Sequence, residues 1–296
     1  MDLQNLKAFV LVAETGSFSE AADKLHLTQP AISKRIAQLE EQLGAPLFDR
    51  IGRTVGMTEA GRALLPHARR VQLELQQAEQ SVRDLAGEVS GKLRLATSHH
   101  IGLHRLPPVL SDYNRSFPAV HIDIDFMDSE QAYELTLRGE AELAVVTLSP
   151  TAVPHIVALP IWPDPLDFMA QRHHELSERK QLTLRDLSER PAILPGMNTY
   201  TGQIVKRLFD ARNLPLEVTI ATNYLETIRM MASVGLGWTV LPRSMSDSSL
   251  ATLPVRGAAV ERTLGVVYHE GRTLSRAASA FIAGLRQASA NSGAEA

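Results

Sequence analysis

The stretch LHLTQPAISKRIAQLEEQLG, Leu25 to Gly44, concentrates hydrogen-bonding and basic side chains on one part of a helical pattern. At roughly 100° per residue, Ile32, Ile36, Leu39 and Leu43 fall on one narrow face, which reads as core. Pro30, Ser33, Lys34 and Ala37 fall opposite, with Gln29 and Arg35 flanking them. Glutamine can pair with two edge atoms of adenine, while serine, lysine and arginine reach base edges or phosphates. The start of a helix adds a field that favours phosphate. Thr28 is a good N-cap, and Pro30 is tolerated in a first turn. Two further cations, Arg50 and Arg53, stand in LFDRIGRTVG. Leu47-Phe48 and Val55 there read as a small hairpin turning at Gly52, which would present both arginines to a backbone or minor groove. Any one of these cations alone reads equally well as a solvated surface group. Their order along the chain, on successive elements, argues for nucleic acid.

A second set of residues lies at the ends of apolar runs. Ser98, His99 and His100 follow LRLAT (93–97), and Ser129 follows VHIDIDF (120–126). Thr147 ends the buried run of ELAVVTL (142–148), and Gly196, Asn198 and Thr199 follow PAILP (191–195). Open α/β sheets bind small molecules beyond the carboxyl ends of their strands. These neutral hydroxyl and amide groups therefore predict a cleft for a small polar ligand, with helix-end N–H groups available to an anion. Each also reads as a helix cap, since serine, threonine and asparagine favour that place. His100 and His104 are four apart, a spacing for two metal ligands on one helix. No acidic residue completes an H-E-x-x-H pattern, so no metal and no cofactor are expected. His99 and His100 read instead as contacts to an acidic effector, or as a pH-sensitive charge beside it.

The elements that must hold these groups change character along the chain. Leu3, Leu6, Phe9, Val10 and Ala13 recur at helical spacing, and Gly16 ends that helix. Ser17-Phe18-Ser19-Glu20 matches a capping box for a second helix. Residues 58 to about 88 read as one long helix. Ala60, Leu64, Ala68, Val71, Leu75, Ala78, Val82 and Leu85 repeat there by threes and fours, a coiled-coil-like seam with Pro66 predicting a bend. From Lys92 onward strands alternate with helices, which predicts a mostly parallel α/β sheet. Candidate strands also include LDFMAQ (166–171), VTIAT (218–222) and LGVVYH (264–269), with a helix from Leu274 to Arg286.

Composition bounds the rest. A chain of 296 residues exceeds one core and predicts two or three domains. A net charge of -3 excludes a protein coated in basic surface but not a local basic patch. The absence of cysteine removes disulfides, thiolate metal sites and thiol nucleophiles together. The apolar run Ala8 to Ala13 is too short for a membrane span and lacks a signal-peptide pattern, so a soluble cytoplasmic protein is expected. No phosphate-loop pattern and no G-x-S-x-G elbow occurs, and Asp123 and Asp125 alternate along a strand; catalysis is not expected.

LKAFVLVAETGSFSEAADKLHLTQPAISKRIAQLEEQLGAPLFDRIGRTVGMTEAG resembles the N-terminal winged helix-turn-helix of LysR-type transcriptional regulators. Phe9, Gly16-Ser17, Ala21-Ala22, Leu25, Thr28-Gln29-Pro30-Ala31, Ser33, Ile36, Leu39-Glu40, Leu43-Gly44, Leu47-Phe48, Arg50 and the segment Thr58 to Gly61 fall at that family's spacing. The resemblance extends over essentially the whole chain. It implies an α/β multidomain protein: a winged helix-turn-helix at 1–58, a linker and dimerisation helix at 59–90, and an effector-binding domain at 91–296. That last domain would be similar to a type 2 periplasmic binding protein, with two α/β subdomains at 91–161 plus 265–296 and at 162–264. Implied partners are double-stranded promoter DNA, a small effector such as an organic acid, and further copies of the chain as homodimer or homotetramer. Thr28, Gln29, Pro30, Ser33, Lys34, Arg35, Arg50 and Arg53 would serve the DNA. The pair His99-His100 departs from the smaller or apolar residues common in the family there. The alternative is a solute-binding module with no transcriptional role, against which the first 60 residues argue.

Overall fold

In the computed structural model, residues 1–51, 54–84 and 88–293 are described. The chain divides into two compact units, one comprising Met1–Gly87 and Arg138–Glu140 and one comprising Glu88–Leu137 and Ala141–Ala296.

Three helices and a hairpin open the first unit. α1 (Leu3–Thr15) starts at Asp2, whose Oδ1 accepts the Gln4 N–H at 2.6 Å, and ends at Gly16 in the left-handed region, φ 65°. α2 (Phe18–Leu25) starts at Ser17, whose hydroxyl accepts the Glu20 N–H. The expected capping box is only half made, because the Ser17 N–H donates to Thr15 Oγ1 at 3.3 Å. α3 (Gln29–Leu43) starts at Thr28, whose side chain makes no capping bond; the Thr28 carbonyl accepts from Ala31 and Ile32. Ile32, Ile36 and Leu39 are fully buried against Leu6, Phe9 and Val12, each contributing about 1.5–3 kcal/mol of burial. Leu43 corrects the sequence reading: it is 42% exposed, because the last turn of α3 outruns the core.

Glu40 then fixes the hairpin. Its Oε1 accepts the Leu47 N–H at 2.7 Å and the Phe48 N–H at 3.4 Å, at the entry to β1 (Phe48–Ile51). β2 (Thr54–Met57) returns antiparallel, with Phe48 opposite Met57 and Arg50 opposite Val55. Thr58 Oγ1 donates to the Pro46 carbonyl and accepts the Gly61 N–H. A Cβ at Gly61 would lie 2.3 Å from the Leu47 carbonyl oxygen, so a side chain there cannot fit. α4 (Glu59–Asp84) continues through Pro66. The apolar stripe on α4 serves two purposes. Ala68 is buried and Ala60 and Leu64 are partly buried in the core of the first unit, whereas Leu75 is 40% and Val82 68% exposed. Gly52, Arg53 and Leu85 lie outside the described residues.

The second unit begins with β3 (Gly91–Thr97), α5 (His99–His104), α6 (Leu106–Ser116), β4 (Val120–Phe126), α7 (Ser129–Leu137) and β5 (Leu143–Thr147). β6 (Ile156–Gln171) leads to α8 (Leu184–Ser188), β7 (Ala192–Leu194), α9 (Tyr200–Asp210), β8 (Val218–Ala221) and α10 (Leu225–Ser233). β9 (Thr239–Pro242), β10 (Leu250–Thr252), β11 (Val260–His269) and α11 (Arg276–Gly293) complete it. Seven strands form one sheet in the order β10-β6-β11-β5-β3-β4, with β9 also on β6; β7 and β8 pair separately.

This sheet is mixed, which corrects the mostly parallel expectation. β3 is parallel to β4 and β5, but β11 is antiparallel to β5 and β6, and β6 is antiparallel to β9 and β10. β6 starts at Ile156 rather than at residue 166. Pro160, Pro163 and Pro165 fit in it because, among the described residues, β11 is the one neighbour of β6 along that stretch, and a sheet edge tolerates proline. β6 and β11 run through two cores. One gathers Leu95, Val145, Val266 and Phe281. The other gathers Phe168, Leu194, Phe209 and Trp238, with the last two rings stacked at 5.7 Å. The β6–β11 register shifts between Leu264 and Gly265. No helix among the described residues is long and apolar enough to cross a membrane.

Candidate functional site

The first candidate surface is the face of α3 turned from the core. Thr28, Gln29, Pro30 and Lys34 are exposed, and Ser33 and Arg35 are half-buried. Gln29 Nε2 donates to Ser33 Oγ at 3.0 Å, one helical turn on, so the two groups hold each other at the surface. Arg35 Nη1 reaches Gln4 Oε1 at 3.5 Å, which draws it toward α1. Lys34 makes no ion pair among the described residues and presents its charge to solvent. The face therefore offers an amide and a hydroxyl beside a free ammonium group. Arg50 lies in β1.

The second candidate is a narrow cavity in the second unit, about 50 Å³, lined by residues from the ends of several strands and the starts of the helices that follow them. Ser98, His99, His100, Ser129, Thr147 and Thr199 all line it, as the strand-end reading expects. Gly196 and Asn198 do not. The Gly196 N–H is taken by Asn223 Oδ1 at 3.0 Å, and Asn198 is exposed away from the lining.

The lining hydroxyls are not equivalent. Thr199 is fully engaged as a cap, donating to the Gly196 carbonyl and accepting the Gly202 N–H. Ser129 Oγ accepts the Thr147 N–H at 3.1 Å, so this pair ties the start of α7 to the end of β5. Ser98 precedes α5, yet its side chain makes no capping bond and no other hydrogen bond among the described residues. Its hydroxyl is free to meet a ligand.

The histidines also divide. His99 is exposed, with its ring 5.6 Å from Phe126 and 4.7 Å from Tyr224, both of them exposed aromatic side chains. His100 is buried, and neither ring nitrogen has a hydrogen-bond partner. Burial, and then the charge of Arg262, push its pKa down from 6.5 to about 4. His100 is therefore neutral near pH 7 and cannot supply the positive charge the sequence reading assigned to this pair.

That charge comes from Arg262, which the strand-end reading missed. Its guanidinium is buried in the lining, with Nε on Asp164 Oδ2 and Nη1 on Thr201 Oγ1, both at 2.8 Å. Arg105 Nη2 also approaches Asp164, at 3.5 Å, so two cations share one buried carboxylate, and of these groups Arg262 lines the cavity. The signal was present in sequence. In VERTL, Arg262 alternates with Val260 and Leu264 on what becomes the buried face of β11, and an arginine on an apolar strand face needs a reason.

Carboxylates line the rim. Asp128 Oδ2 accepts from Asn223 Nδ2 at 2.5 Å, and Glu130 Oε1 accepts the Tyr200 N–H at the start of α9. Burial raises the pKa of Glu130 above the ordinary carboxylate value, an effect the Tyr200 N–H partly offsets. The cavity thus pairs a cationic floor with acceptors at the rim. Such an arrangement can orient a small molecule bearing both a carboxylate and hydroxyl groups.

Comparison with known proteins places both regions of the chain in one family. Residues 3–62 match the family description "Bacterial regulatory helix-turn-helix protein, lysR family", and residues 86–290 match "LysR substrate binding domain". A RuBisCO operon transcriptional regulator of Acidithiobacillus ferrooxidans is 31% identical over 294 residues, spanning 98% of this chain and 94% of that protein. An uncharacterized HTH-type transcriptional regulator of Azotobacter vinelandii, in the ibpB-leuC intergenic region, is 66% identical over 108 residues, 36% of this chain and 75% of that protein. The crystal structure of full-length CbnR complexed with its target DNA superposes with a TM-score of 0.70 at 23% identity, covering 97% of this chain and 100% of that one. With a helix-turn-helix match at one end and a substrate-binding match over most of the remainder, the chain belongs to the LysR family of transcriptional regulators, which bind DNA through the first domain and an effector through the second.

Proposed function

We propose that this regulator senses a small hydroxylated organic acid in the cavity of the second unit, and that Gln29, Pro30, Ser33, Lys34 and Arg35 enter or border the major groove of its operator. Thr28 would meet phosphate at the start of α3, and Arg50 and Arg53 would serve the wing. The observation that carries the effector reading is the pairing of an unengaged Ser98 hydroxyl with the buried Arg262 guanidinium in one lining. Arg262 and Ser98 would take the carboxylate. Asp128 and Glu130 would accept from ligand hydroxyls. His99 would close over the mouth, and Ser129, Thr147 and Thr199 would shape the wall.

The domain limits follow the same reading: 1–58 for DNA, 59–90 for the linker, and 91–296 for the effector. Subdomains at 91–161 with 265–296 and at 162–264 are supported by the β6–β11 register shift at Leu264/Gly265. The exposed apolar stripe from Val71 to Val82 supports a homodimer through α4, and we favour a dimer of such dimers acting on promoter DNA in the cytoplasm. An effector changes DNA binding only if its affinity differs between two arrangements of the assembly. The test is promoter-duplex binding by the full chain with and without the acid. Ser98→Ala should lose the response while keeping basal DNA affinity. A response unchanged in that variant would refute the assignment.

A further inference from the structure

One group of side chains at the edge of the cavity has a chemistry that effector binding does not use. α5 carries His100 and His104 four residues apart, one turn along the same helix. α10, whose Leu225, Ile228 and Ala232 pack with Met169 and Leu241 in a further core, places Glu226 in its first turn near them. His104 Nε2 lies 2.6 Å from Glu226 Oε1, and the His100 and His104 rings lie 4.9 Å apart. One donor atom from each of His100, His104 and Glu226 falls within 4.8 Å of the others.

We propose that His100, His104 and Glu226 form a binding site for a divalent transition metal ion, with Zn²⁺ the best match. Two imidazoles and a carboxylate, with a fourth position open, is a donor set zinc adopts; calcium and magnesium require more oxygen ligands. Bonds of about 2.0–2.1 Å place tetrahedral ligands roughly 3.3 Å apart. The His104–Glu226 pair therefore opens slightly and His100 moves inward, changes within the reach of side-chain rotation.

Two further observations point to a ligand rather than to a chance cluster. His100 is buried with both ring nitrogens unpartnered, and buried polar atoms nearly always have a partner. Glu226 is held from behind: Arg229 Nε donates to Oε2 at 3.1 Å, leaving Oε1 toward the histidines. Outer contacts of this kind orient metal-binding carboxylates. The sequence concealed the third ligand, because Glu226 is far from the histidines along the chain and only the fold brings α10 to α5. A metal here would tie the helices of two cores together beside the cavity, since His100 and Leu225 both line it. The assignment does not depend on the identity of the effector.

The experiment uses the full chain after chelator treatment, titrated with Zn²⁺ by calorimetry and with Co²⁺ by visible absorption. The expected result is one ion per chain, with the intense bands of tetrahedral Co²⁺. His104→Ala and Glu226→Gln should each weaken binding by more than about 100-fold, beyond the loss that removing an outer-shell contact brings. His155→Ala, at a separate exposed pair with Glu270, should bind as wild type does. Glu226→Gln conserves shape, so it remains informative if the alanine variant folds poorly. Absence of stoichiometric binding in the wild type, or affinity unchanged in both site variants, would overturn the proposal.

Discussion

Arg262 Nε donates to Asp164 Oδ2 at 2.8 Å, and the two side chains are only 6% and 1% exposed. Burying an ion pair costs desolvation that its attraction need not recover, so stability alone is a weak reason to keep one. A cationic group at the floor of a ligand cavity is a better reason. Breaking the pair should be severe in either case. Asp164→Ala is expected to destabilise the second unit by about 3–5 kcal/mol, because Arg262 and Arg105 lose their shared carboxylate. Arg262→Met with Asp164→Leu should recover most of that loss and abolish effector binding. Urea unfolding of both variants checks the pair; a double variant no more stable than the single one would contradict this reading.

On α3 the expected outcome is a split between two kinds of loss. Gln29→Ala should cost about 1–3 kcal/mol on operator DNA and little on random duplex, since an amide reads base edges. Lys34→Ala should weaken both and reduce the dependence on salt, since an exposed ammonium neutralises phosphate. Fluorescence anisotropy on the two duplexes over a range of salt separates them. Equal losses for both variants on both duplexes would remove α3 as the reading helix.

Leu75 stands on the part of α4 beyond the core of the first unit and is 40% exposed. If α4 is the dimer seam as proposed, Leu75→Glu should place a charge in it at a cost of several kcal/mol, about the penalty for an unpaired buried polar group. Sedimentation of the full chain should show dissociation toward monomer. A variant that keeps the wild-type assembly would place the interface elsewhere.

Glu130 supplies a pH dependence whose sign follows from its raised pKa. The folded protein holds this proton more tightly than the unfolded chain, whose carboxyl titrates near 4.5. The favourable contribution is present at low pH and is lost as pH rises from 4.5 through the raised value. The stability difference between wild type and Glu130→Gln should therefore shift against the wild type across that window, measured by thermal unfolding at stepped pH. A difference independent of pH would show that Glu130 is not perturbed.

Much of this was legible in the residues. The face of α3 emerged from angle alone, because Ile32, Ile36 and Leu39 repeat at the helical period and bury as a stripe. Leu43 was misread since periodicity does not say where a core ends. Strand β4 matched its sequence run, VHIDIDF, whereas the first half of β6 was hidden by its prolines. At the cavity, the strand-end reading and the structure both bring Ser98 and Thr147 to one lining, because a chain leaving a buried strand must turn at the sheet edge. They could not separate Ser98, whose hydroxyl is free, from Thr199, whose hydroxyl is consumed as a cap. Asn223 reaches the cavity only through tertiary packing, of which local patterns carry no direct record, whereas Arg262 left its trace as an arginine on an apolar strand face that strand ends do not consider.

The most direct measurement is calorimetry of the full chain against short hydroxycarboxylic acids and their neutral amides, repeated with Ser98→Ala. An acid should bind and its amide should not, because Arg262 needs the negative charge. Ser98→Ala should weaken the acid by about 10–100-fold, the value of a hydrogen bond to a charged group. Amides that bind as well as their acids, or an acid held as tightly by Ser98→Ala as by wild type, would contradict an anion seated on Ser98 and Arg262.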